Sequence, residues 1–343
     1  MRKAILLHLV VYVLAFSMNV KSQDIHFSQI FETPLLRNPA LAGLFQGDIR
    51  IQTVYRSQWN SVTTPYRTGS LNAEVKKHVG QSDDFLTIGA QVLYDKSGTA
   101  ALTATHILPT LNYHKSLNAD KNSYLSLGIM GGWVQRSIDR SKMTTNSQYD
   151  GTGYNGTFPD GESFTKSSYS YIDGSIGMSY NSQIGASADD NMYVGVAYHH
   201  FNRSKKISFY SNNKYEMMPK WVGSAGLRMS MTETSYFTIE GDYTKQGIYS
   251  ETEAGMIYTW KLGDVEDPRY SIHAGAYLRW KDAFIPVAKI EFKPIAVAVS
   301  YDMNISQLKT ASNGRGGFEI SLTYQKFFDR YNSNSDAVRC PRF

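Results

Sequence analysis

Apolar and polar positions alternate twice between residues 295 and 325. Ile295, Val297, Val299 and Tyr301 alternate with Ala296, Ala298, Ser300 and Asp302; beyond a loop, Phe318, Ile320, Leu322 and Tyr324 alternate with Glu319, Ser321, Thr323 and Gln325. A period of two places successive side chains on opposite faces and reads as β-strand. The same signal recurs along most of the chain. It predicts strands at 48–58, 66–77, 85–95, 101–115, 123–138, 169–181, 191–202, 220–231, 235–245, 250–262, 270–280, 283–292, 295–302 and 316–325. Many are close to the ~9–11 residues that cross a tilted barrel wall. Strand 101–115 alternates least cleanly.

The connections separate a membrane barrel from an exported sandwich. With the chain entering from the periplasm, the connections 139–168, 203–219 and 303–315 fall on the outer side, and they are the three longest. Long outer loops over short periplasmic turns mark an outer-membrane barrel. The fold read from the pattern is therefore all-β: a transmembrane antiparallel barrel of about fourteen strands, with large residues toward lipid and Glu, Asp, Ser and Thr toward the interior. Closure also removes the exposed edges that so many strands would otherwise present.

The ends of the chain read differently. Arg2 and Lys3 precede the apolar run Ala4 to Phe16, and "SMNVKSQ" ends in small residues, so 1–22 is expected to be a signal peptide. Residues 23–47 form an N-terminal non-strand segment, 48–325 the barrel and 326–343 a C-terminal tail. In 24–43, Pro34 and Pro39 interrupt the chain while Phe27, Ile30, Phe31, Leu35 and Leu36 make it too apolar for a solvated arm. It is expected to pack in or under the lumen. Either "FEISLTYQKFF" is the aromatic signal for membrane insertion or the tail after it is a separate docking element, and Cys340 reads as a buried or periplasmic thiol.

Charge and motifs exclude more than they assign. Removing Arg2, Lys3 and Lys21 from 35 basic residues leaves 32 against 30 acidic ones, which gives no electrostatic footprint for nucleic acid. The single cysteine permits no internal disulfide. Gly151, Gly153 and Gly156 satisfy G-x-G-x-x-G, but no strand leads into them and no helix follows, so they read as loop. Asp150, Asp160 and Glu162 lack a calcium-ligand repeat. His199 and His200, adjacent on a predicted strand, are expected to point to opposite faces. No catalytic residue, cofactor site or metal site is assigned. The candidate partner-binding residues are the aromatics of the long outer loops: Tyr149, Tyr154, Phe158, Phe164, Phe209, Tyr210 and Tyr215. Large rings among adaptable polar residues anchor protein contacts at low entropic cost.

Several short stretches together resemble one known family. "FSQ" (27–29), "NPALAG" (38–43), "YRSQW" (55–59), "YDMNIS" (301–306), "GRGGFEISLTY" (314–324) and the final "CPRF" (340–343) resemble, in order and position, the PorP/SprF proteins of the type IX secretion system. The motif residues are Asn38, Pro39, Gly43, Tyr55, Arg56, Gln58, Trp59, Tyr301, Asp302 and Asn304. The resemblance implies a non-enzymatic component of the outer membrane of a Gram-negative bacterium. It would support secretion or surface attachment of substrates, adhesins among them, that carry a particular class of C-terminal sorting domain. Gliding motility is the setting it suggests. The implied partners are the adhesin, type IX translocon components, outer-membrane lipid and, in one branch, a peptidoglycan-associated periplasmic protein. The alternative is a porin or hydrophobic-solute channel.

Overall fold

The structure is a computed structural model that describes residues 24–60, 64–80, 83–185, 187, 189–205, 207–210, 215–263, 268–307, 309–328 and 343. Fourteen antiparallel strands close into one barrel, each paired with its sequence neighbours, and the last closes on the first. They are β1 Ile49–Gln58, β2 Tyr66–Val79, β3 Asp84–Ser97, β4 Leu102–Asn118, β5 Ser123–Ser137, β6 Ser168–Gln183, β7 Asn191–His199, β8 Lys220–Thr232, β9 Ser235–Gln246, β10 Tyr249–Leu262, β11 Tyr270–Arg279, β12 Ala283–Phe292, β13 Ile295–Asn304 and β14 Arg315–Lys326. Every predicted strand is present. In the closing pair, Tyr55 faces Ile320 and Arg56 faces Glu319.

The alternation sorts lipid from lumen as expected. Ile320 and Leu322 are exposed, whereas Glu319, Ser321 and Thr323 are buried. Exposed rings gather near the strand ends: Tyr55, Tyr94, Trp133, Trp221, Tyr243 and Tyr301 at the outer rim, Tyr113, Trp260, Tyr270 and Phe292 at the periplasmic rim. Such girdles sit where hydrocarbon meets headgroups. The strand with the weakest alternation, β4, carries Pro109, which lacks a ladder donor. Opposite it, Gly132 lies so close to the Ile107 carbonyl that an added Cβ would approach it to 2.0 Å.

Strand boundaries shift by up to three residues from expectation, and one shift has a consequence for two side chains. Strand β7 stops at His199 rather than running to residue 202, because His200 adopts a left-handed φ of 59°. The turn brings both imidazoles inward, 6.3 Å apart, instead of to opposite faces.

Residues 24–45 run down the lumen from the outer mouth to the periplasmic mouth. They form a one-turn 3-10 helix at Ile30–Glu32, a short helix α1 at Pro34–Arg37 and a second 3-10 turn at Pro39–Leu41. Asp24 lies beside Lys220 and Gln246 at the outer strand ends, and Phe45 beside Arg50 and Lys76 at the periplasmic ends. The signal predicted at 1–22 and the thiol of Cys340 lie outside the described residues. A second short helix, α2 at Lys309–Ser312, sits in the outer loop between β13 and β14.

Candidate functional site

An irregular backbone at membrane depth leaves peptide groups that neither lipid nor a β-ladder can satisfy. Here the barrel wall supplies the partners, and those contacts define the site. Near the outer third, Glu319 of β14 accepts the backbone N–H of Ser28 at 2.7 Å and of Gln29 at 2.8 Å. The same carboxylate accepts Arg56 Nη1 at 2.7 Å, while Arg56 Nη2 donates to Asp302 at 2.9 Å. Arg279 bridges Glu253 at 3.0 Å and Asp302 at 3.3 Å, and also donates to the Ser28 hydroxyl. Arg56, Arg279, Asp302 and Glu319 are all buried. Pairing and hydrogen bonds are what make such charges tolerable out of water.

Midway down, Arg37 of α1 makes a two-pronged contact with Asp242, Nε to Oδ2 at 2.6 Å and Nη2 to Oδ1 at 2.7 Å, and also donates to Tyr193 Oη at 2.6 Å. The fork matches the geometry that favours Arg for carboxylates. Glu32 accepts from Lys289 at 2.6 Å, Gln52 at 2.8 Å and Thr323 at 2.6 Å. Asn38 caps the second 3-10 turn by accepting the Ala40 N–H at 2.8 Å, with Pro39 at the first helical position. Its amide also donates to the carbonyls of Met178 and Val196. The turn fits because the wall facing it is glycine. A Cβ on Gly177 would come 1.9 Å from Asn38 Oδ1, and one on Gly128 would come 2.4 Å from the Pro39 carbonyl carbon. At the foot, Gly43 turns at φ 81° and donates to Glu74, which is also paired with Arg50.

At the top, His200 sits between Asp173 at 2.8 Å and Asp24 at 3.3 Å. Burial alone would lower its pKa, but the two carboxylates outweigh it and raise the value to about 9. Burial likewise opposes ionisation of Asp24, yet Lys220 and His200 hold its carboxyl well below the usual range.

The motif residues divide into four groups. Asn38, Pro39 and Gly43 belong to the plug, and Arg56 and Asp302 to the buried cluster that grips it. Tyr55 and Tyr301 face lipid. At the outer rim Trp59 leans on Tyr66 with rings 4.9 Å apart, Gln58 pairs with Gly317 at the strand end, and Asn304 ties the last outer loop through Ser312 and Arg315. Sequence reading missed Glu319, Glu253, Arg279, Arg37, Asp242, Glu32 and Lys289 as a set. The signal was present for the strand residues among them: charges at positions that the alternation turns inward.

The loop aromatics do not form one patch. Phe164 packs on Phe209 and Tyr210, and Phe209 on Tyr169, joining the two longest outer loops. Tyr210 donates to Glu162, which pushes its pKa up to about 12. Tyr149, Tyr154, Phe158 and Tyr215 stay exposed, the first two paired by a β-bridge. Asp150 caps Thr152 and Gly153, and Asp160 pairs with Arg140, so these carboxylates serve loop geometry. Among the described residues no three His, Cys, Asp or Glu side chains gather as metal ligands. Ser175, His199, His200 and Asp173 come together, but His199 spends its second ring nitrogen on the Arg37 carbonyl. The carboxylate of Asp173 therefore orients His200, the imidazole that does not contact the serine.

The family of type IX secretion system membrane proteins PorP/SprF matches residues 19–324 of this chain. The chain belongs to the PorP/SprF family. It is accordingly an outer-membrane component of type IX secretion. No curated protein matches the sequence. Among solved structures, the PorP/SprF barrel is similar to a FadL homologue from Pseudomonas aeruginosa, at 10% identity over 86% of this chain and 94% of that one, with a TM-score of 0.46. The P. putida toluene transporter TodX gives 11% identity over 90% and 95%, TM-score 0.45. The translocator domain of the autotransporter NalP from Neisseria meningitidis gives 9% over 81% and 87%, TM-score 0.39.

Proposed function

We propose that this PorP/SprF protein acts as a non-catalytic holder in the outer membrane, which supports secretion or surface attachment of an adhesin through that substrate's C-terminal sorting domain. Gliding motility is the setting that the family suggests for it. The observation that carries the reading is the pairing of a lumen filled by the protein's own chain with exposed rings above it, Tyr149, Tyr154, Phe158 and Tyr215. A filled lumen suits holding better than passage. Exposed Tyr and Phe on polar loops are the anchors that protein contacts favour. Translocon components and a peptidoglycan-associated periplasmic protein would meet the opposite rim, with its short turns.

Replacing residues 143–166 by a short Gly/Ser linker tests this. The barrel should still assemble and migrate faster when unheated, while adhesin disappears from the cell surface. Unchanged surface adhesin would move the docking site off this loop.

A further inference from the structure

Beside the upper part of the plug, a cavity of about 80 Å³ lies against β8, β9 and β10 and reaches the outer mouth. Its rim, at Ile25, His26, Tyr249 and Ser250, is half-buried or exposed, and its floor, at Ile30, Val222 and Glu253, is buried. Phe27, Leu36 and Val222 give it apolar walls, while β10 supplies two carboxylates, Glu251 and Glu253. Both carboxylates face the lumen, alternating with exposed Ser250, Thr252 and Ala254.

The nearby cations are already engaged. Lys220 and His200 serve Asp24, and Arg37 holds Asp242 in its two-pronged contact. Arg279 divides itself among Glu253, Asp302 and Asp282. Among the described residues no hydrogen bond or ion pair satisfies Glu251. Glu253, only 3% exposed, gives Oε2 to Arg279 and leaves Oε1 without a partner there. A carboxylate oxygen buried in this state is costly, and a cation seated beside it removes the cost.

We propose that this cavity binds a primary ammonium on an aliphatic stem, the chemistry of a lysine side chain or of a free alkylamine. The nitrogen sits between Glu251 and Glu253, and the methylenes lie along Phe27, Leu36 and Val222. Residues two apart on a strand are separated by about 7 Å, so one nitrogen with three donors reaches both carboxylates. The cavity holds about five water-sized groups at ~15 Å³ each, close to the methylenes and nitrogen of one lysine side chain. No third carboxylate or imidazole joins the pair as a metal ligand among the described residues, and apolar walls suit a stem better than a hydrated ion. This assignment does not depend on which protein the outer loops bind.

The test titrates the purified full-length protein by calorimetry with pentylammonium, with acetylated Gly-Lys-Gly amide and with neutral pentanol. Saturable binding of at least one amine, and none of pentanol, is expected. Glu251→Gln, checked for the fast-migrating unheated form, should weaken amine binding ~10-fold. Tighter binding of the peptide would mark a partner's lysine as the ligand, and tighter binding of pentylammonium a free amine; either supports the site. No saturable amine binding, equal affinity for pentanol, or unchanged affinity in Glu251→Gln would overturn the proposal. A second measurement reads the same site by heat. The tighter-binding amine should raise the temperature at which the native unheated form is lost, and should raise it less in Glu251→Gln. Equal shifts in the two proteins overturn the assignment.

Discussion

Arg56 shows how one residue ties a motif to a fold. Its guanidinium joins Glu319 of β14 to Asp302 of β13, and Glu319 in turn holds the plug's Ser28 and Gln29. Arg56→Ala would leave buried Glu319 without its cation and Asp302 with Arg279 alone, and removing one partner of a buried pair costs about 3–5 kcal/mol. The temperature at which the unheated gel form is lost should fall accordingly; an unchanged temperature would deny the cluster its role. His200 gives a pH prediction. Its pKa of about 9 in the fold exceeds the ordinary 6.5, so its ion contacts stabilise fully below pH 6.5 and fade as pH rises through about 9. Native protein should lose thermal stability across that window, and His200→Gln should show a flatter profile. The sequence made Arg56 and Asp302 legible as motif members, but their meeting depends on barrel closure, which joins the first strand to the last. The inward turn of His200 was not legible, since nothing in "YHHF" announces a left-handed residue.

At the scale of elements, alternation alone located every strand, because one face of each must satisfy lipid and the other a polar lumen. Ile320→Arg should impair assembly, since a cation on the lipid face costs ~2–4 kcal/mol near the midplane. Ser321 is 2% exposed, so Ser321→Arg meets a packed lumen there and should also destabilise, by overpacking rather than by contact with lipid. Supplying detergent of different chain length should modulate the first defect and leave the second unchanged. The plug was legible only in outline: apolar content without strand period announced burial, and its prolines announced turns. Its path was not legible, because the glycines that seat it, Gly128 and Gly177, lie far along the chain in β5 and β6. Gly177→Ala should push Asn38 off its carbonyl partners and accelerate proteolysis within 24–45 while the barrel persists. Equal cleavage rates would contradict the seat.

At the scale of the whole molecule, the barrel and the plug answer each other's physical problem. The strands bury charges that need partners, and the irregular segment brings backbone groups that need them too. Arg50, Lys76 and Glu74 at the periplasmic foot, Arg37 and Glu32 midway, and Glu319 near the top distribute that exchange along the lumen. A lumen braced in this way is expected not to conduct. Planar-bilayer recording tests that most directly, comparing the intact protein with a chain lacking residues 24–45 that still shows the unheated barrel form. The intact protein should give no steady single-channel current, and the deleted chain should give stable open pores. Persistent pores from the intact protein, or no gain in current on deletion, would contradict the account.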